Sequence, residues 1–225
     1  MDVAIIPARS GSKRIKNKNI KLFKNKPLIY YSIKAALNSK LFSRVIVSTD
    51  SKKISNIAKK YGAEVPFIRP KSLSDDFTST QHVVNHAIGK INHQNIIRNV
   101  CCIYATAPFI KAQNLKKAYS LLKKNKNIFV FTATKFHSSP FRSFYFKKNK
   151  LIKVFPNFMN KRSQDLQDTY FDVGQFYFAS INTWNKKKVF SENSKIIKIP
   201  YLQSYDLNDA EDWKVLNRLK YIAYL

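Results

Sequence analysis

The chain is expected to be an α/β protein, with a mostly parallel sheet carrying helices on both faces. Three observations predict this class. Short apolar and β-branched runs alternate with longer stretches of helical spacing through the first two thirds of the chain. The first of those runs empties into a basic, glycine-containing loop of the kind that closes a strand in nucleotide-binding sheets. Finally, 225 residues with 44% hydrophobic content suffice to bury one full core.

Val3 to Ile6 reads as a buried strand. Lys26-Pro27 opens a helix with Pro27 in its first turn, and Ile29, Ile33, Ala36 and Leu37 fall on one face. Arg44 to Asp50 is a β-branched run too short for a helix; Ser51 to Tyr61 resumes helical spacing, and Gly62 stops it. Both prolines in Glu64 to Pro70 push their predecessors out of helix, so that segment is extended. A helix from about Thr80 to Lys90, a strand Val100 to Thr106, a helix Leu115 to Lys124 and a strand Ile128 to Thr134 follow. From Phe136 to Tyr170 the rhythm changes: aromatics come in bursts, Lys147 to Lys150 reads as a turn, and Leu151 to Phe155 reads as a return strand. This hairpin-like insertion at about 136–170 is a natural contact surface. Strands at Phe171 to Phe178 and Ile196 to Pro200 return to the sheet. A helix from about Asp209, with Leu216, Leu219 and Ala223 on one face, closes a single domain over 1–225.

The formal net charge of +28 raises nucleic acid as a partner, since clustered cations bind phosphates by counterion release. Clustering is absent: the cations are scattered through every expected helix and loop, so nucleic acid is disfavoured and the field instead steers small anions. Asp2 stands where a secretory signal would carry positive charge, and no stretch reaches the length of a membrane span. Cys101 and Cys102 are adjacent on an expected strand and face opposite ways, which suits a reduced, cytoplasmic protein.

The chemistry concentrates in the first loop. Gly11 is expected to let successive N–H groups converge on an anion, with Arg9, Lys13, Arg14, Lys16 and Lys18 around it. No Gly-Lys-Ser/Thr or Gly-x-Gly-x-x-Gly spacing occurs, so neither a Walker A loop nor dinucleotide binding is indicated. Ser48-Thr49-Asp50, Arg69, Thr106-Ala-Pro108 and Asp206 also lie at expected strand ends, where open parallel sheets bind ligands. That convergence points to an anion, a nucleotide above all; the competing reading of the loop is a solvated basic turn. His82, His86, His93 and His137 have no zinc-ligand spacing, and no serine sits in Gly-x-Ser-x-Gly.

Ile5-Ile-Pro-Ala-Arg-Ser-Gly-Ser-Lys-Arg-Ile with Lys18-Asn19 resembles the nucleotide-binding loop of the acylneuraminate cytidylyltransferase family, and the resemblance runs over nearly the whole chain. Arg162-Ser-Gln-Asp-Leu166, Phe171-Asp-Val-Gly-Gln-Phe-Tyr177 and Cys101 to Pro108 most resemble its pseudaminic acid branch, from which Phe171, Val173 and Phe178 depart. The resemblance implies a nucleotide-diphospho-sugar transferase (Rossmann-like) fold and a homodimer built through the insertion. It also implies Mg2+-dependent transfer of CMP from CTP to an acidic nine-carbon sugar. Pseudaminic acid is favoured over N-acetylneuraminate or legionaminate. It carries over Arg9 and Lys18 as catalytic cations; Ala8, Ser12, Asn19, Arg69 and Thr80 as nucleotide contacts; and Arg162, Gln164, Gln175 and Tyr177 as sugar contacts. Asp206, Asn208 and Asp209 match the metal segment, although Asn208 stands where the family has a second Asp. By its residue type Asp209 or Asn208 equally suits a helix cap. The alternative of another class is a nucleotide- or nucleic-acid-binding protein without turnover.

Overall fold

The computed structural model describes residues 1–92, 96–186, 188–205 and 207–219. In chain order the strands are β1 (Asp2–Pro7), β2 (Leu22–Phe23), β3 (Lys26–Pro27), β4 (Arg44–Ser48), β5 (Asn99–Ile103), β6 (Phe129–Lys135), β7 (Phe144–Lys147), β8 (Lys150–Lys153), β9 (Tyr170–Ser180) and β10 (Lys195–Lys198). The helices are α1 (Leu28–Ser39), α2 (Lys52–Lys60), α3 (Thr80–Ile91), α4 (Ala112–Lys124), α5 (Ile181–Lys186) and α6 (Ala210–Leu219). One six-stranded sheet runs in the order β10-β6-β9-β5-β1-β4. Its β1–β4, β1–β5 and β6–β10 pairs are parallel, as expected of strands joined by helical crossovers. β9 lies antiparallel between β5 and β6 because the chain reaches it through the insertion rather than through a crossover helix.

Alternation along the strands divides the core in two. Ile6, Val47 and Phe178 face α1, α2 and α4, whereas Ile5, Ile46 and Trp184 pack with α3. Cys101 and Cys102 take opposite faces as free thiols, and burial pushes both upward in pKa. A smaller cluster joins Phe23, Leu28 and Phe109 to Leu207 and Leu216, docking α6 beside the first loop. Lys21 Nζ adds a contact 4.7 Å from the Trp213 ring.

Side chains fix the helix starts. Ser51 caps α2 by accepting from Ile54 N, and Ser79 caps α3 by accepting from His82 N, each worth about 1 kcal/mol. The extended segment after Gly62 hydrogen-bonds along β4, and Arg69 N donates to Thr49 O at 2.8 Å, which lays Arg69 at the end of that strand. The strand expected to reach Thr106 ends at Ile103: Tyr104 N still pairs with Gln175 O, and the chain then turns toward the 3.2 Å bond from Ile110 N to Ala107 O. α4 starts at Ala112, a turn earlier than its apolar spacing indicates. β7 and β8 form the expected hairpin, with Lys148 and Asn149 both at positive φ as a tight turn demands. Ala223 lies outside the described residues. Among those described, no helix is long and apolar enough to cross a membrane.

Candidate active site

The first loop leaves β1 at the carboxyl edge of the sheet and is closed by its own polar groups. Ala8, itself buried, continues the strand by donating from N to Ser48 O at 2.9 Å. Ser10 then donates from N and Oγ to the two oxygens of Asp50, at 2.8 and 2.6 Å, tying the loop to the end of β4. Ser12 N donates to Ser10 O, and Asn17 takes a left-handed conformation before a 3-10 turn at Lys18–Ile20. Buried Asn19 reaches back from that turn, its Nδ2 donating to Arg9 O at 2.8 Å. Gly11 does not play the part expected of it. Its φ lies outside the left-handed region, and a Cβ there would meet nothing within 4 Å. The loop is shaped by the serine, Asn17 and Asn19 contacts instead.

A cavity of about 260 Å³ opens against this loop, lined by Arg9, Ser12, Lys18, Asn19, Arg69 and Thr80. These six come from three separate stretches of sequence, brought together by β1, by the segment alongside β4 and by the start of α3. Arg69 is only 3% exposed, and burial outweighs the nearby Asp50 carboxylate in lowering its pKa. A guanidinium keeps its charge at any ordinary pH, so a buried one lining a cavity makes an anion receptor. Its Nε donates to Ser74 Oγ at 3.0 Å, which fixes its orientation. Thr80 Oγ1 shares a 2.6 Å hydrogen bond with Tyr104 OH.

Next to it a second cavity of about 340 Å³ is lined by Arg9, Ser12, Lys18, Arg14 and Asn208. Lys18 Nζ donates to Leu207 O at 2.7 Å, so α6 and the segment before it are held to the loop. Asp206 lies outside the described residues. Asp209 Oδ1 accepts from Glu211 N and Asp212 N, both at 2.9 Å, at the start of α6. Asn208 N in turn donates to Asp212 Oδ2, at 2.6 Å. The donor set suits Mg2+, which takes hard oxygen ligands, needs one or two carboxylates and completes its shell with phosphates and water. Asn208 places a carboxamide-bearing side chain on the wall shared with Arg9 and Lys18. Among the described residues no group of three or more His, Cys, Asp or Glu forms a protein-only cage.

The four residues that the resemblance assigns to sugar are not among those lining the 260 Å³ cavity. Arg162 forks Asp165 at 2.7 and 3.1 Å in an exposed 3-10 turn of the insertion that also carries Gln164. Gln175 and Tyr177 are buried on β9. Gln175 Nε2 donates to Gln203 O at 2.8 Å, and its Oε1 is buried without a hydrogen-bond partner. Tyr177 OH donates to Asp172 Oδ2, and burial foremost, with that carboxylate, drives its pKa far above the ordinary phenol value. The Tyr104 ring, 5.8 Å from Tyr177, bridges this pair to Thr80 and the 260 Å³ cavity. A third cavity of about 520 Å³ lies in the insertion, against Arg142, Ser139 and Ser163.

Among the residues lining the 260 Å³ cavity, Asp76 and Tyr104 escaped the sequence reading. Asp76 belongs to the segment that carries Arg69 and Thr80, but a carboxylate runs against the charge expected of an anion site. Tyr104 sits beside the Thr106 cluster and reads as an ordinary strand residue.

Comparison with known proteins matches residues 3–198 to the family described as cytidylyltransferase. A pseudaminic acid cytidylyltransferase of Campylobacter jejuni is 43% identical over 94% of this chain and 92% of its own length. A CMP-N,N'-diacetyllegionaminic acid synthase of Legionella pneumophila is 32% identical over 96% and 95%. In fold, the chain is similar to a CMP:2-keto-3-deoxy-manno-octonic acid synthetase complexed with CTP, with a TM-score of 0.72 at 12% identity over 97% of each chain.

Proposed function

Because the chain belongs to the cytidylyltransferase family, we propose that this nucleotidyltransferase moves CMP from CTP onto pseudaminic acid. The anomeric hydroxyl of the sugar attacks the α-phosphorus, the bond to the β-phosphate oxygen breaks, pyrophosphate leaves and the hydroxyl proton passes to solvent. The observation that carries this reading is the convergence of Arg9, Ser12, Lys18, Asn19, Arg69 and Thr80 on one cavity at the carboxyl edge of the sheet. Arg9 offers a fork for two phosphate oxygens, and Lys18 a point charge for the negative charge that grows on the leaving group. Arg69, anchored by Ser74, holds the nucleotide in register with them. Mg2+ held by Asp206 and Asn208, with Asp209 as the neighbouring candidate, would neutralise phosphate charge at the same wall.

For the sugar, Arg162 is the proposed carboxylate anchor, because a planar guanidinium makes paired contacts that an ammonium does not. Its grip on Asp165 displays that geometry. Arg162→Lys is expected to raise the KM for the sugar acid roughly tenfold while the KM for CTP holds, as steady-state kinetics would read. Gln164, Gln175 and Tyr177 complete the proposed sugar side.

The insertion is the proposed seat of a two-fold homodimer. Phe146 is 67% exposed and Tyr145 52%, on opposite faces of the β7–β8 hairpin, so that a second copy can cover apolar surface there. Sedimentation at micromolar concentration should show twice the 26.2 kDa chain mass. A species of single mass throughout would remove this role. Free, buried Cys101 and Cys102 agree with the proposed cytoplasmic setting.

The reaction itself is tested by pyrophosphate release from CTP and Mg2+ with pseudaminic acid, N-acetylneuraminate and legionaminate in parallel. Release fastest with pseudaminic acid is expected. No release with any of the three contradicts the reading.

A further inference from the structure

Arg9, on the walls of both cavities, and Lys13, on the wall of the second, are already engaged by one carboxylate of the chain. Asp76 Oδ1 meets Arg9 Nη2 at 2.5 Å, and Asp76 Oδ2 meets Lys13 Nζ at 2.7 Å. Hydrogen bonds from Lys13, then Arg9, hold the Asp76 carboxyl below the ordinary carboxylate range. Asp76 lines both the 260 Å³ cavity and its 340 Å³ neighbour, on the same walls as Arg9. Two anionic oxygens forked between an arginine and a lysine are what a phosphate group would present at that place.

The loop around Asp76 is tied down independently of these ion pairs. Asp75 Oδ1 accepts from Phe77 N, Thr78 N and Thr78 Oγ1 at 3.0, 2.7 and 2.7 Å, and Ser74 Oγ donates to Pro70 O at 3.0 Å. The tip carries no apolar anchor, since Phe77 is 92% exposed. Asp76 can therefore leave the cations by rotating its side chain or by a small shift of the tip, without uncovering core.

We propose that Asp76 is an internal stand-in for the triphosphate: it holds Arg9 and Lys13 in the free enzyme, gives them up when CTP enters, and reclaims them as pyrophosphate leaves. The proposal rests on the cytidylyltransferase reading of this cavity. Partly exposed single-charge pairs are weak, whereas a triphosphate brings several charges to the same cations, so exchange toward CTP is favourable. The competition still weakens binding of every ligand that needs Arg9 and Lys13, because the binding-competent state is only a fraction of the free enzyme. CTP and pyrophosphate both need those cations. CMP, which lacks the β- and γ-phosphates, does not.

Calorimetric titration of the full chain with CTP, pyrophosphate and CMP, at one fixed ionic strength, tests this. Asp76→Asn should bind CTP and pyrophosphate about five- to tenfold more tightly than wild type, with CMP changed by less than about twofold. Asp76→Ala should move the same way, which separates lost charge from a new amide contact. Thermal melts establish that both variants are folded. CTP affinity equal to or weaker than wild type in both variants overturns the proposal and makes Asp76 a bystander or an orienting group for Arg9. Wild-type protein that binds neither CTP nor pyrophosphate overturns the cytidylyltransferase reading itself, and the stand-in with it.

Discussion

Arg9→Ala and Lys18→Ala are each expected to lower kcat/KM for CTP by about 100-fold or more, the cost of removing a charge contact that strengthens in the transition state. The two residues stand nine positions apart in a loop closed by Asn19, so each acts from a fixed place rather than from a free side chain. Losses differ in kind. Arg9 is shared with Asp76, so its removal also frees that carboxylate inside the cavity and should raise the KM for CTP as well as lower kcat. Lys18 is held to Leu207 O, so its removal also loosens the docking of α6. Lys16→Ala is the control: this exposed loop cation lines neither cavity, and a loss of more than about tenfold there would show that bulk charge, not position, carries the effect.

The second large effect concerns the proposed metal segment. Asp206→Ala is expected to abolish most turnover at ordinary Mg2+ concentrations, because one or two carboxylates are all that such a site draws from the protein. Asn208 removes a full negative charge from this segment while keeping an oxygen that can face a cation. Asn208→Asp should therefore lower the Mg2+ concentration for half-maximal rate severalfold. Asp209→Ala should instead leave Mg2+ dependence alone and cost about 1 kcal/mol of stability, since its carboxylate caps two backbone N–H groups of α6. Should Asp209→Ala prove as damaging as Asp206→Ala, Asp209 rather than Asn208 carries the missing charge. Mg2+ titration of CTP turnover, beside thermal melts, separates the two.

Much of this site is legible in the sequence because it is built from local signals at strand ends. A β-branched run followed by a polar cluster marks the carboxyl edge of a sheet, and Arg9 to Asn19, Asp50, Arg69 and Thr106 were readable on that ground. Their meeting in space follows from parallel strand pairing. Other features depend on contacts between distant segments. The direction of β9 follows from how the insertion returns to the sheet, which no periodicity records. The ion pairs of Asp76 join two loops 67 positions apart, and its charge is opposite to the one a phosphate site leads a reader to seek. Gly11 teaches the converse lesson. A glycine in a basic loop invites a left-handed turn, yet here Asn17 takes the left-handed conformation and Gly11 does not.

The proposed sugar side was less legible for a related reason. Arg162 and Gln164 sit in an exposed turn, Gln175 and Tyr177 in the buried sheet, and nothing in their spacing joins them. Among the described residues, the Tyr104 ring, between Tyr177 and Thr80, relates the buried pair to the proposed nucleotide cavity.

The central claim, that CMP passes to the anomeric oxygen of a nine-carbon acidic sugar, is tested most directly by following that oxygen. Pseudaminic acid carrying ¹⁸O at the anomeric hydroxyl is incubated with CTP, Mg2+ and the enzyme, and the products are weighed by mass spectrometry. The account predicts a CMP-sugar that keeps the label in its bridging oxygen, together with unlabelled pyrophosphate. A CMP-sugar without label, or free CMP with no sugar adduct at all, would contradict it.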